Sequence, residues 1–92
     1  MVMAKIPDER IEELKSYPLS YRLARLRTMS DYTQKEAASL MGVHAVTISY
    51  WETGFKSPSK RMLEKYIELY DLPINYFDDV EIERLKLKKG KD

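Results

Sequence analysis

The side chains that usually carry catalysis or hold metal ions are scarce in this chain of 92 residues. Cysteine is absent and His44 is the only histidine, so thiolate and histidine-rich metal sites are excluded. A lone histidine does not make an active site. The three glycines lie too far apart for a phosphate-cradling loop, and no nucleophile–base pair or paired-carboxylate cleft is indicated. The sequence therefore predicts no enzyme, no metal and no cofactor.

The chemistry that remains is recognition of a polyanion, and it is concentrated in the middle of the chain. Residues 19–62 carry seven basic and three acidic side chains, a net charge of +4, whereas residues 1–18 carry −1 and residues 63–92 carry −2. A basic segment between mildly acidic flanks suits contact with phosphate groups. Many ordinary helices carry such a charge, so the charge alone does not identify a polyanion as the partner.

Apolar periodicity and capping residues predict short helices in the first half of the chain. A proline followed by an aspartate begins a helix over 8–16, and leucines spaced i, i+4, i+7 indicate a second over 19–29. Thr33 and Glu36 form a capping box, which opens a third helix that runs to about Met41.

The second half is predicted to be helical as well. Gly42 ends the third helix and allows another to begin only a few residues later, over Val46 to Trp51, although its β-branched residues alone would permit a strand. A clear amphipathic helix covers 59–70, and a short last helix is expected from Ile74 to Phe77. Beyond it, a broken strand and a frayed helix fit the pattern equally well.

Two short helices joined by a turn at Gly42 form the most informative segment. Ala37 and Ala38 are small, which allows the second helix to cross closely. That helix would place Val43, Ile48 and Trp51 inward and leave outward Ala45, Val46, Thr47, Ser49 and Tyr50. A helix with small polar and apolar groups outside, flanked by basic residues, can enter the DNA major groove.

The same segment resembles the helix-turn-helix of the lambda repressor and Cro family, also called the XRE-type family. The matching residues, in the family's order and spacing, are Leu26-Arg27, Thr33-Gln34, Ala38, Gly42-Val43, Thr47-Ile48-Ser49, Trp51-Glu52, Gly54 and Pro58. The resemblance implies an all-α fold, a five-helix lambda-repressor-like DNA-binding domain with an additional short N-terminal helix. It divides the chain into an N-terminal extension over 1–18, the DNA-binding domain over 19–77 and a C-terminal tail over 78–92.

The resemblance also implies roles for individual residues on double-stranded DNA. The base-facing residues are Ala45, Val46 and Tyr50. Residues that touch phosphates or flanking bases are Gln34, His44, Thr47, Thr53 and Lys56. For Lys56 and Lys60, phosphate contact and a solvated position are equal alternatives. Arg27 and Glu52 resemble a structural ion pair that ties the first helix of the family's domain to the end of the recognition helix.

Three positions depart from the family's pattern. Ala37 stands where leucine is usual, His44 replaces a serine or threonine cap, and Phe55 stands where a basic residue is common. In addition, Ala45 and Val46 cannot make bidentate hydrogen bonds, but they can pack on thymine methyl groups. We therefore expect sequence preference to come from thymine contacts, Tyr50 and DNA shape.

The resulting prediction is a cytoplasmic transcriptional regulator, most simply a repressor. One recognition helix reads few base pairs, so a homodimer on a palindromic operator with half-sites about 34 Å apart is expected. The dimer surface is placed around Ile74 to Leu87. The alternatives are an antitoxin or restriction-modification controller with a small protein partner, and a protein-bridging adaptor. No apolar run approaches the ~18 residues that a membrane span needs, and no signal peptide is indicated.

Overall fold

The computed structural model describes residues 6–89, and within that range all regular structure is helical. The helices are α1 (Asp8–Leu14), α2 (Leu19–Met29), α3 (Gln34–Met41), α4 (Ala45–Thr53), α5 (Lys60–Tyr70) and α6 (Asp78–Lys89). The predicted all-α class and the additional N-terminal helix are confirmed. Residues 1–5 of the predicted N-terminal extension and residues 90–92 of the predicted C-terminal tail lie outside the described residues.

Local signals explain where α3 begins and ends. The Thr33 Oγ1 accepts a hydrogen bond from the Glu36 backbone N–H at 3.0 Å, and the Glu36 Oε1 accepts one from the Thr33 N–H at 2.9 Å. This reciprocal pair is the capping box expected from the sequence. At the other end Gly42 adopts the left-handed conformation, with φ 73°, which reverses the chain and lets α4 begin at Ala45.

A single core holds the helices together, and aromatic rings fill much of its centre. The rings of Tyr66 and Tyr70 stack with centroids 5.9 Å apart, and the Trp51 ring meets Tyr66 edge-on at 6.0 Å. All three side chains are buried. Burial raises the pKa of both the Tyr66 and Tyr70 hydroxyls, so they are neutral in the folded protein. α4 packs through this core against both α2 and α3.

Arg22 links the segment between α1 and α2 to the start of α6. Its side chain is only 2% exposed, and its Nη2 donates to the Lys15 and Tyr17 carbonyl oxygens at 3.1 and 3.0 Å. Both of its Nη atoms also donate to the Asp79 carboxylate, at 3.2 and 3.0 Å. Nearby, the buried Tyr76 hydroxyl donates to the Ile11 carbonyl at 2.7 Å. The end of α1, the start of α2 and the start of α6 are therefore held at one place.

The predicted short helix from Ile74 to Phe77 is wrong. These residues form a turn, in which the Tyr76 N–H donates to the Pro73 carbonyl at 3.0 Å, and the helix begins only at Asp78. Tyr76 and Phe77 are drawn into the core, which anchors the turn. Acidic residues then occupy the first turn of α6, where they are favourable at the positive end of the helix dipole. Of the two alternatives left open beyond Phe77, the structure has the helix.

We expect Asp79→Asn to destabilise the fold by about 1 kcal/mol near neutral pH, since the carboxylate is half-exposed but pairs with a buried guanidinium. The hydrogen bonds from Arg22 hold the pKa of Asp79 below its ordinary value. A lowered native pKa contributes stability above the unfolded pKa of about 3.9 and loses it as the pH falls through the native value. The difference between the wild type and the variant, measured by urea unfolding, should therefore shrink on acidification below about pH 4.

The matched control for that measurement is Asp78→Asn, which removes the neighbouring charge from the same helix start. Asp78→Asn should lower the free energy of unfolding by less than Asp79→Asn does, because no hydrogen bond to Arg22 is lost. An Asp79→Asn effect that is no larger than the control, or that persists undiminished at strongly acidic pH, would contradict the role of the Arg22–Asp79 pair.

Candidate nucleic-acid interface

The outer face of α4 is held in place from the opposite side of the helix. Ile48 and Trp51 are buried, so the helix is fixed in rotation about its own axis. Ala37 and Ala38 of α3 are also buried and let the two helices approach closely. The geometry expected of a helix-turn-helix, two short helices crossing after a glycine turn, is present in residues 34–53.

A hydrogen-bonded network at the end of α4 links it to two other elements. The Arg27 Nε and Nη2 donate to the two oxygens of Glu52, at 2.7 and 3.1 Å. Arg27 Nη1 also donates to the Tyr32 carbonyl at 2.8 Å. The two side chains are 15% and 6% exposed, so the pair is largely shielded from water. The hydrogen bond from Glu52 raises the pKa of Arg27, which keeps the guanidinium charged.

Gln34 takes part in the same network. Its Nε2 donates to Glu52 Oε1 at 3.1 Å, which fixes the orientation of the amide at the first residue of α3. An amide nitrogen carries two hydrogens, so the second one is still available to an acceptor. The resemblance to the family implies that Gln34 contacts a phosphate. The hydrogen bond to Glu52 was not predicted, because it joins residues on two different helices.

The three residues predicted to face bases lie on the side of α4 away from the core. Ala45 is exposed, and Val46 keeps 53% of its surface exposed although it is apolar. Tyr50 follows Val46 by four residues, so the two share a face of the helix. Tyr50 is only half-buried because the core takes its neighbours Ile48 and Trp51 instead.

The residues predicted to touch phosphates or flanking bases surround this face. His44, Thr53, Lys56 and Lys60 are exposed and Thr47 is half-buried. His44 occupies the N-cap position of α4, but its side chain makes no capping hydrogen bond. The Thr53 hydroxyl donates within the helix, to the Ser49 carbonyl at 2.9 Å. A phosphate contact by Thr53 would have to replace that bond, since a hydroxyl has one hydrogen.

Phe55 is part of this surface, although the sequence identified it as a departure from the family's pattern and not as a base-facing residue. Its ring lies against Tyr50, with centroids 4.9 Å apart and planes inclined by 49°. Gly54, with φ 82°, turns the chain back and makes the contact possible. The Lys56 Nζ lies 5.4 Å from the centroid of the same Tyr50 ring. The signal available in the sequence was an aromatic residue at the end of the predicted helix, Tyr50, and a second one, Phe55, directly after the glycine that ends it.

Two further features bear on chemistry in the described part of the chain. No group of three or more histidine, cysteine, aspartate and glutamate side chains in residues 6–89 is arranged to hold a metal ion. Over the same residues, no helix combines the length and apolar character that a membrane crossing requires.

Comparison with known protein families gives a match over more than half of the chain. The model of a family described as helix-turn-helix matches residues 23–77. That range begins within α2, contains α3 to α5, and leaves out α1 and α6. No curated protein and no solved structure matches the chain.

We expect Glu52→Leu to destabilise the protein by about 3 kcal/mol, because it leaves the shielded Arg27 guanidinium without its counter-charge. The double variant Arg27→Met with Glu52→Leu should recover most of that loss, since two apolar side chains of similar volume then pack together. Urea unfolding of both variants measures the difference.

The exposed pair of Arg10 and Glu13, 3.2 Å apart, provides the comparison. Glu13→Gln should change the free energy of unfolding by less than about 1 kcal/mol, as is usual for surface pairs. If the double variant at Arg27 and Glu52 were as unstable as Glu52→Leu alone, the cost would not come from an uncompensated charge.

Proposed function

The chain belongs to the XRE-type helix-turn-helix family, the family of lambda repressor and Cro, whose members are DNA-binding transcription regulators, and we propose that this member is a cytoplasmic repressor. It binds a palindromic operator in double-stranded DNA as a homodimer. One observation carries the proposal. The face of α4 that presents Ala45, Val46 and Tyr50 lies outside the core, while the opposite face is buried in it.

In this proposal α4 lies in the major groove, with Ala45, Val46 and Tyr50 toward the base edges. Ala45 and Val46 offer only apolar surface, which suits thymine methyl groups. The Gln34 amide, oriented by Glu52, donates its second hydrogen to a phosphate. Cationic and polar groups around the face add contacts to the backbone or to flanking bases, namely His44, Thr47, Thr53, Lys56 and Lys60.

The dimer surface in this proposal lies around Ile74 to Leu87. We call its exposed apolar side chains, Ile74, Ile82, Leu85 and Leu87, the C-terminal apolar face. Ile74 is 90% exposed, and the other three are also largely exposed although they are apolar. The charges of α6 are divided along its length, acidic from Asp78 to Glu83 and basic from Arg84 onward. If the two-fold axis is perpendicular to α6, the two helices are antiparallel, and the acidic half of each then lies beside the basic half of the other.

A second candidate function adds a small protein partner, as in an antitoxin or a restriction-modification controller. One observation favours it. The rings of Tyr17 and Tyr21 lie 4.8 Å apart at the junction of α1 and α2, outside the range of the family match, and both are exposed. Exposed aromatic pairs are typical of protein interfaces. Co-purification of a partner that is lost when both tyrosines are changed to serine would support this function. DNA binding that is absent or insensitive to salt would favour a protein-bridging adaptor instead.

Selection of bound sequences from a random double-stranded DNA pool tests the main proposal. We expect a palindromic motif with half-sites about one helical turn apart. Affinity for the selected operator should fall steeply with salt, because phosphate contacts release counterions. Gln34→Ala should weaken binding to all sequences alike, whereas Val46→Ala and Tyr50→Ala should change which bases are preferred. No enrichment by a folded protein would reject direct sequence reading.

Sedimentation equilibrium tests the dimer. The double variant Ile82→Glu with Leu85→Glu should be monomeric at concentrations where the wild type is a dimer, because it places charges at the C-terminal apolar face. Leu40→Glu is the matched control, since Leu40 is exposed on α3 and outside that face. A wild-type protein that stays monomeric on its operator, or a double variant that stays dimeric, would show that this surface is not the interface.

A further inference from the structure

Phe55 is the most exposed residue of an apolar strip that runs along the outside of α4. The strip consists of Val46, Tyr50 and Phe55. Phe55 is 71% exposed, although its ring packs on Tyr50 at 4.9 Å. One side of the ring is therefore occupied and the rest is open to a ligand.

The backbone holds Phe55 in this position. Gly54 has φ 82°, a conformation that glycine adopts without strain, and the chain turns back over the end of α4. The Lys56 N–H then donates to the Tyr50 carbonyl at 3.2 Å, which closes the loop on the helix. The ring is thus presented on a short, hydrogen-bonded turn, and little conformational freedom has to be lost when it makes a contact.

The charge pattern of the turn assigns different roles to neighbouring residues. Lys56 supplies a cation for a phosphate, whereas Phe55 has no charge and no hydrogen-bonding group. In the major groove, the apolar feature that distinguishes one base from the others is the thymine methyl group. An open aromatic ring beside a base-facing tyrosine matches that group and no other edge of a base pair.

We propose that Phe55 is a specificity-determining residue that reads a thymine methyl group in each half-site, at a base pair different from the one contacted by Val46. The separation follows from the helix. Tyr50, on which Phe55 packs, lies roughly 6 Å further along the axis of α4 than Val46, so Phe55 and Val46 reach the groove at different points. This inference rests on the proposed function, because it requires that α4 lies in the major groove.

Replacing thymine by deoxyuridine in the selected operator, one position at a time, removes a single methyl group and tests the contact. For the wild type, we expect the loss to weaken binding about fourfold, the effect of unburying one methyl group, at the position that couples to Val46 and at a second position in each half-site. In Phe55→Ala that second position should become insensitive, while the position that couples to Val46→Ala should keep its effect. Leu40→Ala is the matched control for loss of an exposed apolar side chain and should leave every position unchanged.

The salt dependence of binding gives a second readout. Phe55→Ala should leave the slope of log affinity against log salt unchanged, whereas Lys56→Ala should reduce its magnitude by about two, one for each subunit of the dimer. Thermal unfolding establishes that both variants are folded.

The outcomes separate the two proposals. If no sequence is enriched, the proposed function is rejected and this inference falls with it. If an operator is found but none of its thymines couples to Phe55, or the operator contains no thymine, the inference alone is wrong. A change in salt slope for Phe55→Ala would likewise overturn it, because it would show that the ring acts through the phosphate contacts.

Discussion

The Glu52 carboxylate is the acceptor on which the relative placement of α2, α3 and α4 depends. It binds the guanidinium of Arg27 through both oxygens and also accepts from Gln34. Arg27 in turn holds the Tyr32 carbonyl just before the capping box of α3. An exposed ion pair would add little to the free energy of unfolding. This pair is largely shielded from water, so removing one partner would leave an uncompensated charge and destabilise the protein. The outward face of α4 and the amide of Gln34 are therefore positioned by one shared carboxylate.

Local signals in the sequence were sufficient wherever one strong short-range preference decided the structure. The capping box at Thr33 and the left-handed Gly42 fixed both ends of α3. From Ile74 to Phe77 two preferences compete. The pattern suits a helix, but the core draws in Tyr76 and Phe77 and leaves a turn, so the helix starts later. Such a competition is decided by tertiary packing, which a single sequence does not display.

The candidate site shows the same division. The outward side of α4 followed from placing Ile48 and Trp51 inward, and the roles of Ala45, Val46 and Tyr50 followed from the resemblance to the family. The packing of Phe55 on Tyr50 and the bond from Gln34 to Glu52 depend on how a loop and two helices meet. Neither contact has a characteristic spacing in the sequence. The contacts of Phe55 and Gln34 were therefore harder to predict than the outward position of Ala45, Val46 and Tyr50.

The hydrogen bonds of the buried Arg22 side chain affect how the protein unfolds. Its guanidinium holds carbonyls beyond the end of α1 and the first turn of α6, and Tyr76 adds a bond to Ile11. The segments that flank the family's range should then exchange their amide hydrogens together with the core and not fray one by one. The two flanks and the family's range would then melt as one cooperative unit, because the buried guanidinium has its partners on both flanks.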